Sequence, residues 1–164
     1  MLTGPLRRAL PYILNQLEPL RSQGYLTTYH ANGTLVPSAV TVIGTGNSPL
    51  PQILALSPRD YFFDAPLAQL TNASLLPAWN ASVAPIASVD YAAVVAWSGV
   101  GPISAPAQAN ITRLVADAHA RGLQARFWDT PGWPIAARDA VWQTLLANGA
   151  DWLNADDLAA AAAF

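Results

Sequence analysis

Two runs of strand-forming residues end in polar side chains, and those ends hold the groups suited to chemistry. Gln124-Ala125-Arg126-Phe127-Trp128 leads into Asp129-Thr130-Pro131, and Asp151-Trp152-Leu153 leads into Asn154-Ala155-Asp156. In parallel α/β folds, ligands bind at the carboxyl ends of the strands. A carboxylate at Asp129 either orients a ligand or neighbouring side chain, or caps the turn at Thr130-Pro131. Trp128 is either an apolar pocket wall or packing. Asn154 closes the second run, and Asp156 stands where the N-cap of the final alanine-rich helix belongs.

A second constellation is the glycine-containing loop Gly44-Thr45-Gly46-Asn47, with Asp64 twenty residues after Gly44. A dinucleotide fingerprint has this beginning but needs a third glycine, and Pro49 occupies that region. A tight turn at a strand end is the better reading, with Thr45 and Asn47 at its rim. His30 follows a strand beside the turn dipeptide Asn32-Gly33, and His119 falls late in a helix. No His pair with acidic partners has metal-ligand spacing, and there is no Gly-x-Ser-x-Gly elbow.

The elements that must hold these residues alternate. Apolar residues at 10, 13, 14, 17 and 20 predict an amphipathic helix over Leu10–Gln23, stopped by Gly24. Strands are expected at Tyr25–Tyr29, Val40–Ile43, Asp60–Asp64, Gln124–Trp128 and Trp152–Asn154, with a hairpin turn at Asn32-Gly33. Asp90–Trp97 reads as strand-like or buried. Helices are expected at Pro51–Leu56, Gln108–Ala120, Ile135–Ala147 and Asp156–Ala163, and Ala65–Pro85 reads as loop. Strands alternating with helices argue for a parallel sheet with right-handed crossovers in one domain over residues 1–164.

Composition excludes several classes. Net charge is −2 with no basic cluster, which argues against a nucleic-acid partner. There is no Lys and no Cys, hence no Schiff-base lysine, P-loop lysine, disulfide or thiolate nucleophile. No run is long and apolar enough for a membrane span, and the Arg7-Arg8 start lacks a signal peptide's apolar core. Four N-glycosylation sequons begin at Asn32, Asn72, Asn80 and Asn110. They predict a secretory-pathway protein.

Taken together, Tyr25-Leu26-Thr27, Val42-Ile43-Gly44-Thr45-Gly46-Asn47, Pro58-Arg59-Asp60-Tyr61-Phe62-Phe63-Asp64-Ala65-Pro66-Leu67, Arg126-Phe127-Trp128-Asp129-Thr130-Pro131 and Asp151-Trp152-Leu153-Asn154-Ala155-Asp156-Asp157-Leu158 resemble the fungal altered inheritance of mitochondria protein 6 family. That family belongs to the phospholipase C-like phosphodiesterases. The Trp128 and Asn154 segments also resemble, more weakly, the last two strands of glycerophosphodiester phosphodiesterases and sphingomyelinase D. The resemblance implies a (β/α)8 TIM-type barrel, an architecture of about 250 residues, of which this chain holds the C-terminal half, strands five to eight. Leu2-Thr3-Gly4-Pro5 is similar to the stretch after the family's fourth strand.

The resemblance places the catalytic histidines and acidic metal ligands in the first four strands, in segments that do not occur here. It implies a phosphoric diester hydrolase in the intact family, acting on a small phosphodiester or a lipid head group with Mg²⁺, whereas this chain alone binds no cofactor and is inactive. Trp128 would line the substrate pocket and Asn154 would hydrogen-bond near the phosphate. His30, Thr45, Asn47, Asp64 and Asp129 would sit at the barrel mouth. The alternative expectation is a non-catalytic half-barrel that works by assembly or binding, self-associating through its open edges.

Overall fold

The structure, a computed structural model, describes residues 5–72, 74 and 79–164, with side chains from residue 9 onward. Leu2-Thr3-Gly4 of the family-like stretch lies outside the described residues. The chain is mixed α/β with parallel strands and divides into two compact units: residues up to 64 with 82–85, and residues 65–81 with 86–164.

The first unit opens with helix α1, Pro5–Ser22, which starts earlier than the apolar rhythm predicts and ends before Gly24. Strands β1 (Thr28–Tyr29) and β2 (Leu35–Val36) form the expected antiparallel hairpin. At its tip the Asn32 Oδ1 accepts the Thr34 N–H at 3.0 Å. Strand β3 (Ile43–Gly44), helix α2 (Leu50–Leu54) and strand β4 (Phe62–Pro66) follow, with β3 and β4 parallel. The expected strands at Tyr25–Tyr29 and Val40–Ile43 are thus shorter. Their remainder is tied by the single Leu26–Val40 bridge and by backbone bonds from Val40 to Tyr25 and from Thr27 to Val40. The strand expected at Asp60–Asp64 is displaced two residues onward.

Charged groups lock this unit. Arg21 makes a bidentate pair with the buried Asp60 carboxylate, and that hydrogen bonding raises the Arg21 pKa. Arg59, almost wholly buried, stacks on the Tyr29 and Phe62 rings and donates to the Tyr61 and Ser82 carbonyls. Burial lowers its pKa.

The second unit holds a short 3-10 turn at Leu67–Gln69, strand β5 (Ile86–Asp90), helix α3 (Tyr91–Val94), helix α4 (Ala105–His119), strand β6 (Gln124–Trp128), helix α5 (Ile135–Ala147) and helix α6 (Leu158–Ala163). Strand β5 pairs in parallel with β6, Ser88 opposite Arg126 and Asp90 opposite Trp128. Helix α4 starts at Ser104, whose Oγ accepts the Ala107 N–H. It buries Ala107, Ile111, Leu114, Val115 and Ala118, one face of a 3.6-residue period, and packs on β6.

Three expectations are corrected here. Asp90–Trp97 is not a strand: β5 ends at Asp90, whose carboxylate accepts the Ala93 N–H at 3.1 Å and turns the chain into α3. Trp152–Asn154 forms only the isolated parallel bridge Arg126–Trp152. The Asp151 side chain takes the Ala125 N–H at 2.7 Å, so a carboxylate replaces the backbone acceptor a longer ladder would supply. Asp156 does not cap the last helix; Asp157 does, through the Ala160 N–H at 3.0 Å.

Candidate functional site

One set of polar groups in the second unit meets at the carboxyl end of β6. Within β6, Ala125 and Phe127 are buried while Gln124 and Trp128 are exposed and Arg126 is half-buried. The alternation puts Gln124, Arg126 and Trp128 on one face of the strand. On that face a row runs across the unit: Arg126 donates to the Asn154 Oδ1 and reaches the Ser88 Oγ at 3.5 Å. With its oxygen held by Arg126, Asn154 keeps its amide N–H groups as donors.

Beyond lies a cavity of about 290 Å³ lined by Asp129, Thr130, Pro131, Gly132, Arg138, Trp142, Asn154, Ala155, Asp156 and Asp157. Asp129 stands at its edge with φ 57°, the one positive φ at a non-glycine among the described residues. Asp and Asn tolerate this left-handed conformation better than other side chains. The Arg138 guanidinium lies 4.6 Å from the Trp142 ring centroid and pairs with Asp139 at 2.8 Å. The Trp142 indole N–H points to the Thr130 Oγ1 at 3.4 Å, and Phe164 meets the ring edge-on at 5.3 Å. The lining sets three carboxylates against one guanidinium.

A neighbouring cavity of about 480 Å³ shares Asp129 and Pro131 and is otherwise lined by Tyr91, Ala92, Val95, Ala96, Trp97 and Ser98. The Tyr91 hydroxyl donates to the Trp97 carbonyl at 2.7 Å. Burial pushes the Tyr91 phenol up to about 12. The ordinary value is about 10, so the fold favours the neutral phenol. Its stabilising share is whole below pH 10 and is lost as pH rises from about 10 to 12. Two pKa units correspond to about 3 kcal/mol. Urea unfolding of the wild type is therefore expected to weaken by that order between pH 9.5 and 12. Tyr91→Phe, less stable at pH 9.5 for want of the hydroxyl bond, should lack that component of the loss. Parallel curves for the two proteins would contradict the assignment.

Of the residues singled out in the sequence, Asp129, Asn154 and Asp156 meet in one cavity, whose lining does not include Trp128. His30, Thr45, Asn47 and Asp64 belong to the first unit. His30 lines a separate cavity with Tyr29, Leu54 and Arg59. Thr45 and Asn47 sit in the exposed loop after β3, and Asp64 is half-buried within β4. The Gly44 loop serves packing. A Cβ on Gly44 would stand 2.3 Å from the Tyr61 ring and 2.6 Å from the Ser48 Oγ, and α2 has only five residues. A nucleotide cradle is therefore not built there. His119 pairs with Asp151 at 2.9 Å, and Asp151 also holds the Ala125 N–H, near the start of β6.

Sequence reasoning missed Arg138, Trp142, Arg126 and Ser88. Arg138 had a signal: a cation four residues into a helix opposes the macrodipole and needs a local reason. Among the described residues, no group of three or more His, Asp or Glu side chains forms a metal-ligand set. The described residues thus offer no such set for the Mg²⁺ the resemblance implies. No helix among the described residues is long and apolar enough to cross a membrane.

Comparison with known proteins shows what the chain is similar to. Residues 5–64 match the AIM6-like phosphodiesterase domain. The chain is 40% identical over 157 residues to the altered inheritance of mitochondria protein 6 homolog of Arthroderma benhamiae, covering 94% of this chain and 48% of that protein. The chain is similar to members of the altered inheritance of mitochondria protein 6 family. The Eremothecium gossypii member is 34% identical over 178 residues, covering 97% of this chain and 44% of its own length. The Candida glabrata member is 31% identical over 155 residues, with 86% and 38% covered. The chain thus spans about half the length, or less, of the curated relatives it matches. No solved structure matches it.

Proposed function

We propose that this stretch is the substrate-pocket portion of a (β/α)8 phosphoric diester hydrolase, contributing strands five to eight, and that it does not turn over substrate alone. The observation that carries the reading is the polar cavity at the carboxyl end of β6, in a chain of a phosphodiesterase-like family. The implied substrate is a small phosphodiester or a lipid head group.

Each residue has a task in that reading. Arg138 supplies positive charge, held in place by Asp139 and the Trp142 face. Asn154, aligned by Arg126, donates to a phosphoryl oxygen. Asp129 and Asp156 make the cavity acidic, so a diester anion is repelled unless further positive charge is brought to it. The lining holds no His or Lys to act as general base. Both features favour an inactive isolated chain, with Mg²⁺ belonging to the longer family members.

The charge argument has a direct test. Asp129→Asn with Asp156→Asn removes two carboxylates, and Asn tolerates the left-handed backbone at 129. Diethyl phosphate binding, followed by NMR titration, is expected to tighten about tenfold at low ionic strength. Unchanged binding in the folded double variant would remove the cavity from the reading.

We also propose passage through the secretory pathway, with a glycan on Asn32. That residue sits at an exposed hairpin tip. Asn110 is different: its Nδ2 donates to the Val94 carbonyl and its Oδ1 accepts from Arg113, both at 2.8 Å. Both ends of that amide are engaged. Peptide mapping of secreted protein is expected to find sugar at Asn32 and none at Asn110. Asn72 and Asn80 are themselves exposed. A bare Asn32 or a sugar on Asn110 would contradict the assignment.

A further inference from the structure

We infer that Val100, Trp133 and Ile135 form an uncharged apolar rim that docks this chain on a zwitterionic lipid–water interface. These side chains are 67%, 77% and 52% exposed. Large apolar side chains gathered this openly mark an interaction surface. Val100 lies in the loop after α3, Trp133 in the loop after β6, and Ile135 opens α5.

The two loops are packed together. A Cβ on Gly99 would stand 2.1 Å from the Ala137 carbonyl oxygen, so the backbone beside Val100 rests on the first turn of α5, two residues from Ile135. The first loop is braced from below. The Trp97 indole N–H donates to the Gly101 carbonyl at 3.2 Å, and Tyr91 holds the Trp97 carbonyl at 2.7 Å. Val100 is therefore presented at the tip of a fixed loop. The cavity of about 480 Å³ opens alongside, lined by Trp97 of the first loop and by Asp129 and Pro131 of the second.

Charge identifies the partner. No charged residue lies between Asp90 and Arg113, and none between Asp129 and Arg138. The guanidinium nearest to Trp133 in sequence, Arg138, is paired to Asp139 at 2.8 Å. An anionic membrane attracts Lys and Arg, worth a measurable gain for each, and this rim offers none. A protein partner is ordinarily fixed in register by a polar rim and charged pairs, which these loops do not supply. A tryptophan with aliphatic neighbours on protruding loops matches the boundary between head groups and acyl chains, where indoles concentrate. This inference does not rest on the phosphodiester reading, because docking is read without turnover.

The test is co-sedimentation of the 164-residue chain with phosphatidylcholine vesicles, with tryptophan quenching by brominated lipid as a second readout. Binding is expected, insensitive to salt and not strengthened by added phosphatidylserine. Trp133→Ser should weaken it about tenfold or more and remove part of the quenching. Val100→Ser should weaken it by a smaller factor. Both positions are exposed, and an unchanged unfolding midpoint shows that the variants fold. Four results would overturn the proposal: no vesicle binding, binding only to anionic vesicles, binding unaltered by Trp133→Ser, or a dimer dissolved by Trp133→Ser without vesicle binding.

Discussion

Replacing Trp142 by alanine is expected to destabilise the protein by about 3–5 kcal/mol, the range for truncating a large buried aromatic. Trp142 is 2% exposed and is among the largest fully buried side chains of α5's unit. Its loss strips the Arg138 guanidinium of the ring it lies on, leaves Phe164 without its edge-on partner, and leaves the Thr130 hydroxyl without the indole N–H. Because Trp142 also walls the polar cavity, the cavity should widen. Trp142→Phe retains the ring face but not the N–H, and should recover more than half of the loss. Urea unfolding of the two variants measures this. A cost below about 1 kcal/mol for alanine would mean the ring is not packed as described.

Gly99→Ala has the second large effect, about 2–5 kcal/mol. Two costs combine: a methyl group placed 2.1 Å from a backbone carbonyl oxygen, and a φ of +86° that an L side chain rarely adopts. The neighbour is backbone at the start of α5, so no side chain can swing away. Gly101 is the natural control. Its φ is +69°, but nothing lies within 4 Å of a Cβ there. Gly101→Ala should cost only the backbone strain, about 1–2 kcal/mol. Equal costs at the two positions, by thermal unfolding, would contradict the close approach of the loop to α5.

The sequence was most legible where backbone chemistry punctuates it. Helix α5 runs from Ile135 to Ala147 as expected, because Pro134 precedes it and Asn148-Gly149 ends it. Strand β6 is also placed to the residue, between Gly122 and the turn at Asp129. Errors arose where one side chain took over a backbone task. Asp90 capped a helix inside an apolar run, Asp151 replaced a ladder acceptor, and Asp157 rather than its neighbour Asp156 capped α6. Apolar pattern cannot distinguish such neighbours. In the candidate site, Asp129 and Asn154 were legible because they follow strand-like runs. Arg138 and Trp142 were not, because they come from a helix whose facing side is set only by packing. The acidity of the cavity was hidden too, since it depends on which carboxylates share it.

The most direct measurement is the initial rate of hydrolysis of a chromogenic diaryl phosphodiester by a full-length curated relative and by this chain, under the same conditions. The account predicts turnover by the full-length protein and none by the 164-residue chain, whose cavity has an excess of carboxylates and no His or Lys. Turnover by the isolated chain would contradict it, and so would a folded full-length relative that hydrolyses no phosphodiester.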